Sequence, residues 1–221
     1  VKNQDYFPDT EVAKLGLAYS ELLERINSKL ALQIYSELVE AGKTIPEIYL
    51  NLAFLYQEQN DLEALISLLV EARKKYPNNK KILIELVNYA HLSENKEQIL
   101  EQLEKDFNEN PVAIDLALAL ATLYDKLDIF DKAEKYYRQV LEEDSDYHSV
   151  RFNYAVLLYN EFVELNKFLL TGNSELSFQD LNAQRNKLLK NSLRQFEILE
   201  NNSFRTEEVK SIIEKIEAIK N

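Results

Sequence analysis

Two histidines, His91 and His148, are the first candidates for acid–base or metal chemistry in this sequence. Either ring would need a partner: a carboxylate to orient it, or a second ligand one helical turn away. Neither has a second histidine or a carboxylate at metal-ligand spacing on its own predicted helix, so both read as surface or groove residues. The run Glu142-Glu143-Asp144-Ser145-Asp146 has the carboxylates of a calcium loop. It lacks the central glycine and the bidentate glutamate at the end, and it reads instead as a helix terminus followed by an Asp146 cap. There is no cysteine, which excludes disulfides, thiolate metal sites and a cysteine nucleophile. Three unclustered glycines provide no phosphate-cradling loop. Among 38 carboxylates no pair stands out as a glycosidase acid and base. The expectation is a chain without catalysis, cofactor or metal.

The elements that could position any site are helices. Of 221 residues, 46% are hydrophobic, enough for a core, while three Gly and four Pro are too few for the turns of a sandwich or an α/β fold. The net charge of −12, with no basic stripe, disfavours nucleic acid. The most apolar segment, Leu116 to Tyr124, is far shorter than the roughly 18 residues of a membrane span. The chain contains no Met, so a processed form is expected, soluble and either cytoplasmic or exported after loss of a leader.

Sliding the chain against itself by 34 residues superimposes Leu52, Leu86, Leu120 and Tyr154. The next slot holds Ala53, Val87, Ala121 and Ala155; three residues on stand Tyr56, Ala90, Tyr124 and Leu158. Later in the unit Leu65, Ile99 and Ala133 align, then Leu69, Leu103 and Tyr137, and the units close on Pro77, Pro111 and Ser145. Large, small and aromatic residues at i, i+1 and i+4 share one helix face, and the small one admits a second helix. Polar breaks separate the two helices of a unit. Asn60 with Glu63, and Asn95 with Gln98, read as N-caps, and Pro111 reads as the first turn of a helix capped by Asn110.

The pattern resembles the tetratricopeptide repeat (TPR) family, best through Tyr49, Leu52-Ala53, Tyr56, Ala72 and Pro77-Asn78-Asn79. The unit 114–147 matches nearly as well, 80–113 is weaker, and 12–45 fits loosely, with Tyr19 in its small slot. The resemblance implies an all-α, right-handed α-solenoid of about five TPR helix–turn–helix units with a C-terminal capping helix. The expected divisions are a lead-in over 1–11 and an array over 12–163 (units near 12–45, 46–79, 80–113 and 114–147, and the first helix of a fifth from 148). An extended helix and insertion follow over 164–184, with Thr171–Gln184 as the inserted segment and a break at Gly172-Asn173-Ser174. The second helix of the fifth unit and the cap occupy 185–221. In the cap, Val209, Ile212, Ile213, Ile216 and Ile219 form one apolar stripe.

In the TPR family the first helix of each unit lines a concave surface that receives the ligand. Carried over by register, the inward slots hold Leu50, Asn51 and Phe54, then Ile84, Asn88 and His91, then Leu118 and Thr122, and finally Phe152, Asn153, Val156 and Tyr159. Asn51 and Lys81 match two slots of the TPR subclass that grips C-terminal carboxylates. Glu85 stands where that subclass needs Arg, and Gly16 and Ser20 replace its upstream Lys and Asn, so a carboxylate clamp is not expected. The ligand implied is a protein or peptide, apolar or extended, with Phe54, Ile84, Leu118 and Phe152 as anchors. The alternatives are an envelope protein sheltering an apolar small molecule or lipid, and a self-assembling structural solenoid. The oligomeric state is not specified by the sequence.

Overall fold

The protein is described by a computed structural model covering residues 9–24, 28–171 and 178–220. Residues 1–8 of the expected lead-in and the Gly172-Asn173-Ser174 break lie outside the described residues. The fold is an all-α solenoid of paired helices: α1 (Asp9–Glu24), α2 (Ser28–Glu40), α3 (Pro46–Glu58), α4 (Leu62–Lys75), α5 (Lys80–Ala90), α6 (Lys96–Glu109), α7 (Ile114–Lys126), α8 (Phe130–Glu143), α9 (His148–Thr171), α10 (Phe178–Asn201) and α11 (Thr206–Lys220). The chain divides into two compact units, residues 1–102 and 103–221.

The 34-residue phase is a packing phase. Leu52, Leu86, Leu120 and Tyr154 are buried, as are the neighbouring Ala53, Val87, Ala121 and Ala155. The small slot admits a partner helix closely enough for the buried Ser192 hydroxyl of α10 to donate to the Ala155 carbonyl at 2.8 Å. Between α1 and α2 the close approach falls on Gly16, where an added Cβ would lie 2.5 Å from a Leu38 methyl. Tyr19, in the small slot of the first unit, points outward at 57% exposure beside Leu15 at 61%. A tyrosine in that slot is sterically tolerable only because its face of α1 is uncovered.

Two kinds of turn repeat. Units close on β-turns in which the N–H of Asn79, Ala113 and Tyr147 donates to the carbonyl of Tyr76, Asn110 and Asp144. Pro77, Pro111 and Ser145 therefore occupy the second turn position, for which the proline ring pre-sets φ. This corrects the reading of Pro111 as a first helical residue capped by Asn110. Helix α7 begins at Ile114, and its cap position, Ala113, makes no side-chain bond. It also displaces the Asp146 cap, because the carbonyl that starts the α9 ladder is that of Tyr147, bonded by Arg151 N–H at 3.0 Å.

The second kind stops a helix with a left-handed residue. Gly42, Asn60, Asp128 and Ser203 have φ of 70°, 57°, 56° and 56°. The next N–H, on Lys43, Asp61, Ile129 and Phe204, reaches back to Leu38, Tyr56, Tyr124 and Leu199. This is the Schellman arrangement, favoured by Gly and tolerated by Asn and Asp. Asn60 is thus a helix stop and not the expected N-cap. The cap of α4 is Asp61, whose side chain accepts from Ala64 N–H at 3.1 Å.

The segment expected as an insertion is partly helix. Residues 178–184 form the first two turns of α10, which, like α9, is 24 residues long. Burial of Leu181 and Phe162, and an Arg185 Nη1 to Asn166 Oδ1 bond at 3.2 Å, account for the extension, because both helices run past the repeat length while packing on each other. Helix α11 buries Val209, Ile213 and Ile216, leaving Ile219 exposed.

Candidate functional site

Within unit 1, α3 and α5 stand side by side as first helices of successive repeats and enclose a groove of about 280 Å³. Leu50, Ala53, Phe54 and Gln57 of α3 face Lys81, Ile84, Glu85 and Tyr89 of α5, with Leu65 of α4 at the base. Positions 50, 53, 54 and 57 lie on one helix face, as do 81, 84, 85 and their next turn. Phe54 is 52% exposed and Ile84 57% exposed. The two stand on adjacent helices at one cleft, whereas single exposed apolar side chains scattered over a surface are ordinary. Asn51 is half-buried and is engaged within the protein, its Nδ2 donating to the Tyr35 hydroxyl at 3.0 Å. Asn88 is exposed and His91 half-buried at the end of α5.

The corresponding positions of unit 2 are occupied differently. Leu118, Thr122, Val156 and Tyr159 are half-buried, and Asn153 is exposed. The Tyr159 ring lies 6.0 Å from that of Phe162. The Tyr137 hydroxyl donates to Asp125 Oδ2 at 3.0 Å, and Thr122 and Asn153 oppose the rise of the phenol's pKa. Burial pushes the Asp125 carboxyl up, with Tyr137 opposing and Asp128 adding to the rise. Burial and Asp125 push the Tyr137 phenol up in turn. Tyr35 with Asn51, and Tyr137 with Asn153, occupy the same pair of repeat slots three repeats apart.

Phe152, expected as an anchor, is only 9% exposed. Its ring lies 5.8 Å from Phe196 and 6.5 Å from Phe204, and the Arg205 guanidinium sits 4.6 Å above it. The turn after α10 covers the slot, so Phe152 is core. Sequence register therefore brings Leu50, Phe54 and Ile84 together in one groove. It does not do so for Phe152, and it missed Tyr89 and Leu65, which the apolar phase of α5 and α4 contains. Glu85, the residue that argues against a carboxylate clamp, lines the groove.

Among the described residues no group of His, Cys, Asp or Glu could hold a metal ion. None of the described helices is long and apolar enough to cross a membrane.

No protein-family model matches the chain, and no curated protein matches it. Solved structures do. A tetratricopeptide repeat protein from Parabacteroides merdae is 16% identical, with 92% of this chain and 84% of that chain covered at a TM-score of 0.52. A MamA RS-1 variant is 14% identical over 80% of this chain and 93% of that one, at 0.48. A TPR protein from Thermus thermophilus is 19% identical over 82% and 99%, at 0.42. The superposition on the Parabacteroides protein is at the level of a shared fold, and at 16% identity it speaks for the fold and not for a shared ligand. Helix pairing, repeat phase, closing turns and this superposition agree: the chain has the tetratricopeptide repeat fold.

Proposed function

We propose that this protein is a non-catalytic binding scaffold that holds an apolar peptide segment or a partner helix in the groove between α3 and α5. The observation that carries the reading is the pair Phe54 and Ile84, each more than half exposed and facing one another across a groove of about 280 Å³. Leaving two large apolar side chains in water costs stability that burial against a partner returns, at about 25 cal/mol per Å². Lys81 and Gln57 at the rim supply donors and Glu85 an acceptor for a backbone or polar side chain. The anionic Glu85 disfavours a ligand that presents a bare carboxylate there. Among the other expected positions, Asn88 and His91 follow Ile84 at helical spacing at the end of α5 and do not line the groove. Leu118, Thr122, Asn153, Val156 and Tyr159 form a second, more polar face on unit 2.

The test is selection of random peptides against the intact protein, followed by affinity measurement on Phe54→Ala, Ile84→Ala and the double variant. Selected peptides should carry apolar residues at helical or alternating spacing. The double variant should lose about 2–4 kcal/mol of binding if the two act as hot spots. Peptides whose affinity is indifferent to both substitutions, with the fold intact by circular dichroism, would remove the groove from consideration.

A further inference from the structure

A second cleft lies within unit 2, lined by α8, α10 and the first two turns of α9, and encloses about 440 Å³. Four cations line it: Arg138 from α8, Arg151 from α9, and Lys187 and Arg194 from α10. They face two carboxylates, Glu134 and Glu142, so positive charge is concentrated here in a chain whose net charge is −12. Glu134 is already engaged, accepting the Tyr154 hydroxyl at 2.9 Å. Arg138, Lys187 and Arg194 form no ion pair among the described residues.

Arg151 is fixed in place. Its Nη1 donates to Gln195 Oε1 at 2.6 Å and its Nη2 to the Ser145 carbonyl at 2.7 Å. Both acceptors are neutral, so neither hydrogen bond neutralises its charge, which Asp146 offsets in part. Burial, and then repulsion from Arg194, hold its pKa below the usual arginine value, with Asp146 opposing. Like charges gathered at one cleft repel one another, and an anion seated between them turns that repulsion into attraction.

We propose that this cleft is a phosphate-binding site, taking the group either as the free ion or on a phosphorylated side chain of a partner. Phosphate fits better than a carboxylate because the cations come from three helices. A tetrahedral dianion accepts from several directions, whereas a planar carboxylate is satisfied by a single guanidinium fork. Asn191 adds a neutral donor at the same wall.

The experiment is a titration of the full chain, at neutral pH and constant ionic strength, with inorganic phosphate and separately with a short phosphoserine peptide, followed by backbone amide chemical shifts. Saturable shifts clustered on α8, the start of α9 and the middle of α10 are expected with at least one probe. Arg138→Ala with Arg194→Ala, both exposed positions, should weaken binding about tenfold or more. Phe54→Ala in unit 1 should leave it unchanged, which keeps this site separate from the groove. Tighter binding of the peptide assigns a phosphoprotein partner, and equal binding assigns the free ion; both support the site. Absence of saturable shifts with both probes, or affinity unaffected by the double variant, overturns it. An unphosphorylated acidic peptide binding as tightly as the phosphoserine peptide overturns the phosphate assignment.

Discussion

Ile84 and Phe152 occupy one slot of the repeat, two units apart, and have opposite environments. Ile84 stands in water beside Phe54, while Phe152 lies beneath Phe196, Phe204 and the Arg205 guanidinium. The neighbouring slots diverge in the same sense. Unit 1 presents an apolar groove, whereas unit 2 places the Tyr137–Asp125 hydrogen bond beside Thr122 and Asn153. Register alone specifies which way a side chain points from its helix. What meets it there depends on elements outside the periodic pattern.

The largest test of this contrast is truncation of both residues. Phe152→Ala should destabilise the protein by about 3–4 kcal/mol in urea unfolding, as expected for a buried aromatic. Ile84→Ala should change stability by under about 0.5 kcal/mol, the range of exposed substitutions. Comparable losses for the two would erase the distinction. Arg205→Ala comes next: it uncovers the Phe152 ring and removes a cation–π contact, for an expected loss of about 1 kcal/mol.

The left-handed stops sharpen the comparison from the backbone side. Asp128→Gly should stabilise unit 2 by about 1 kcal/mol, because it relieves a non-glycine residue at φ 56° and removes a charge that raises Asp125. Asn60→Gly, with no such charge effect, should gain less. Thermal melts of the two variants against the parent read this difference, and equal gains would count against the electrostatic part.

The smallest expected effect is on pH dependence. Asp125 titrates above its ordinary value of 3.8 in the folded chain, so the folded state holds that proton more tightly than the unfolded chain. The associated stabilisation is present below the unfolded value and is lost as pH rises through the folded one. Asp125→Asn, which keeps an acceptor for the Tyr137 hydroxyl, should lose less stability than the parent between mildly acidic and neutral pH. Parallel denaturation curves for the two across that window would show that Asp125 pays no burial penalty.

Much of the fold was legible because the periodic residues are also the contact residues. The Leu52 and Ala53 slots are buried in every in-phase unit, and a residue pair that must pack on a neighbouring helix leaves a period in the sequence. The placement of Leu50, Phe54 and Ile84 along one cleft followed from the same register. Asn95 does stand immediately before α6, but the caps at Asn60, Asn110 and Asp146 were misplaced because Asn, Asp and Pro each serve in more than one kind of turn, and only the backbone distinguishes a left-handed Asn60 from an N-cap. Burial of Phe152 was not legible, because its cover comes from the aperiodic turn at Phe204 and Arg205. Nor was the α8–α10 cleft, whose cations are spread from Arg138 to Arg194 and meet only through helix packing.

The cover over Phe152 also has a consequence for the order in which the chain is made. Nearly all side-chain ties among the described residues span about one repeat or less, such as Tyr49 to Glu71, Tyr76 to Thr44 and Ser192 to Ala155, so each helical hairpin can close on its predecessor as synthesis proceeds. Phe152 cannot be completed that way, because the ring leaves the ribosome well before Phe204 and Arg205 exist to shield it. Until they follow, the nascent chain displays an aromatic at the growing end of unit 2, and that interval is when this protein is most open to premature contacts.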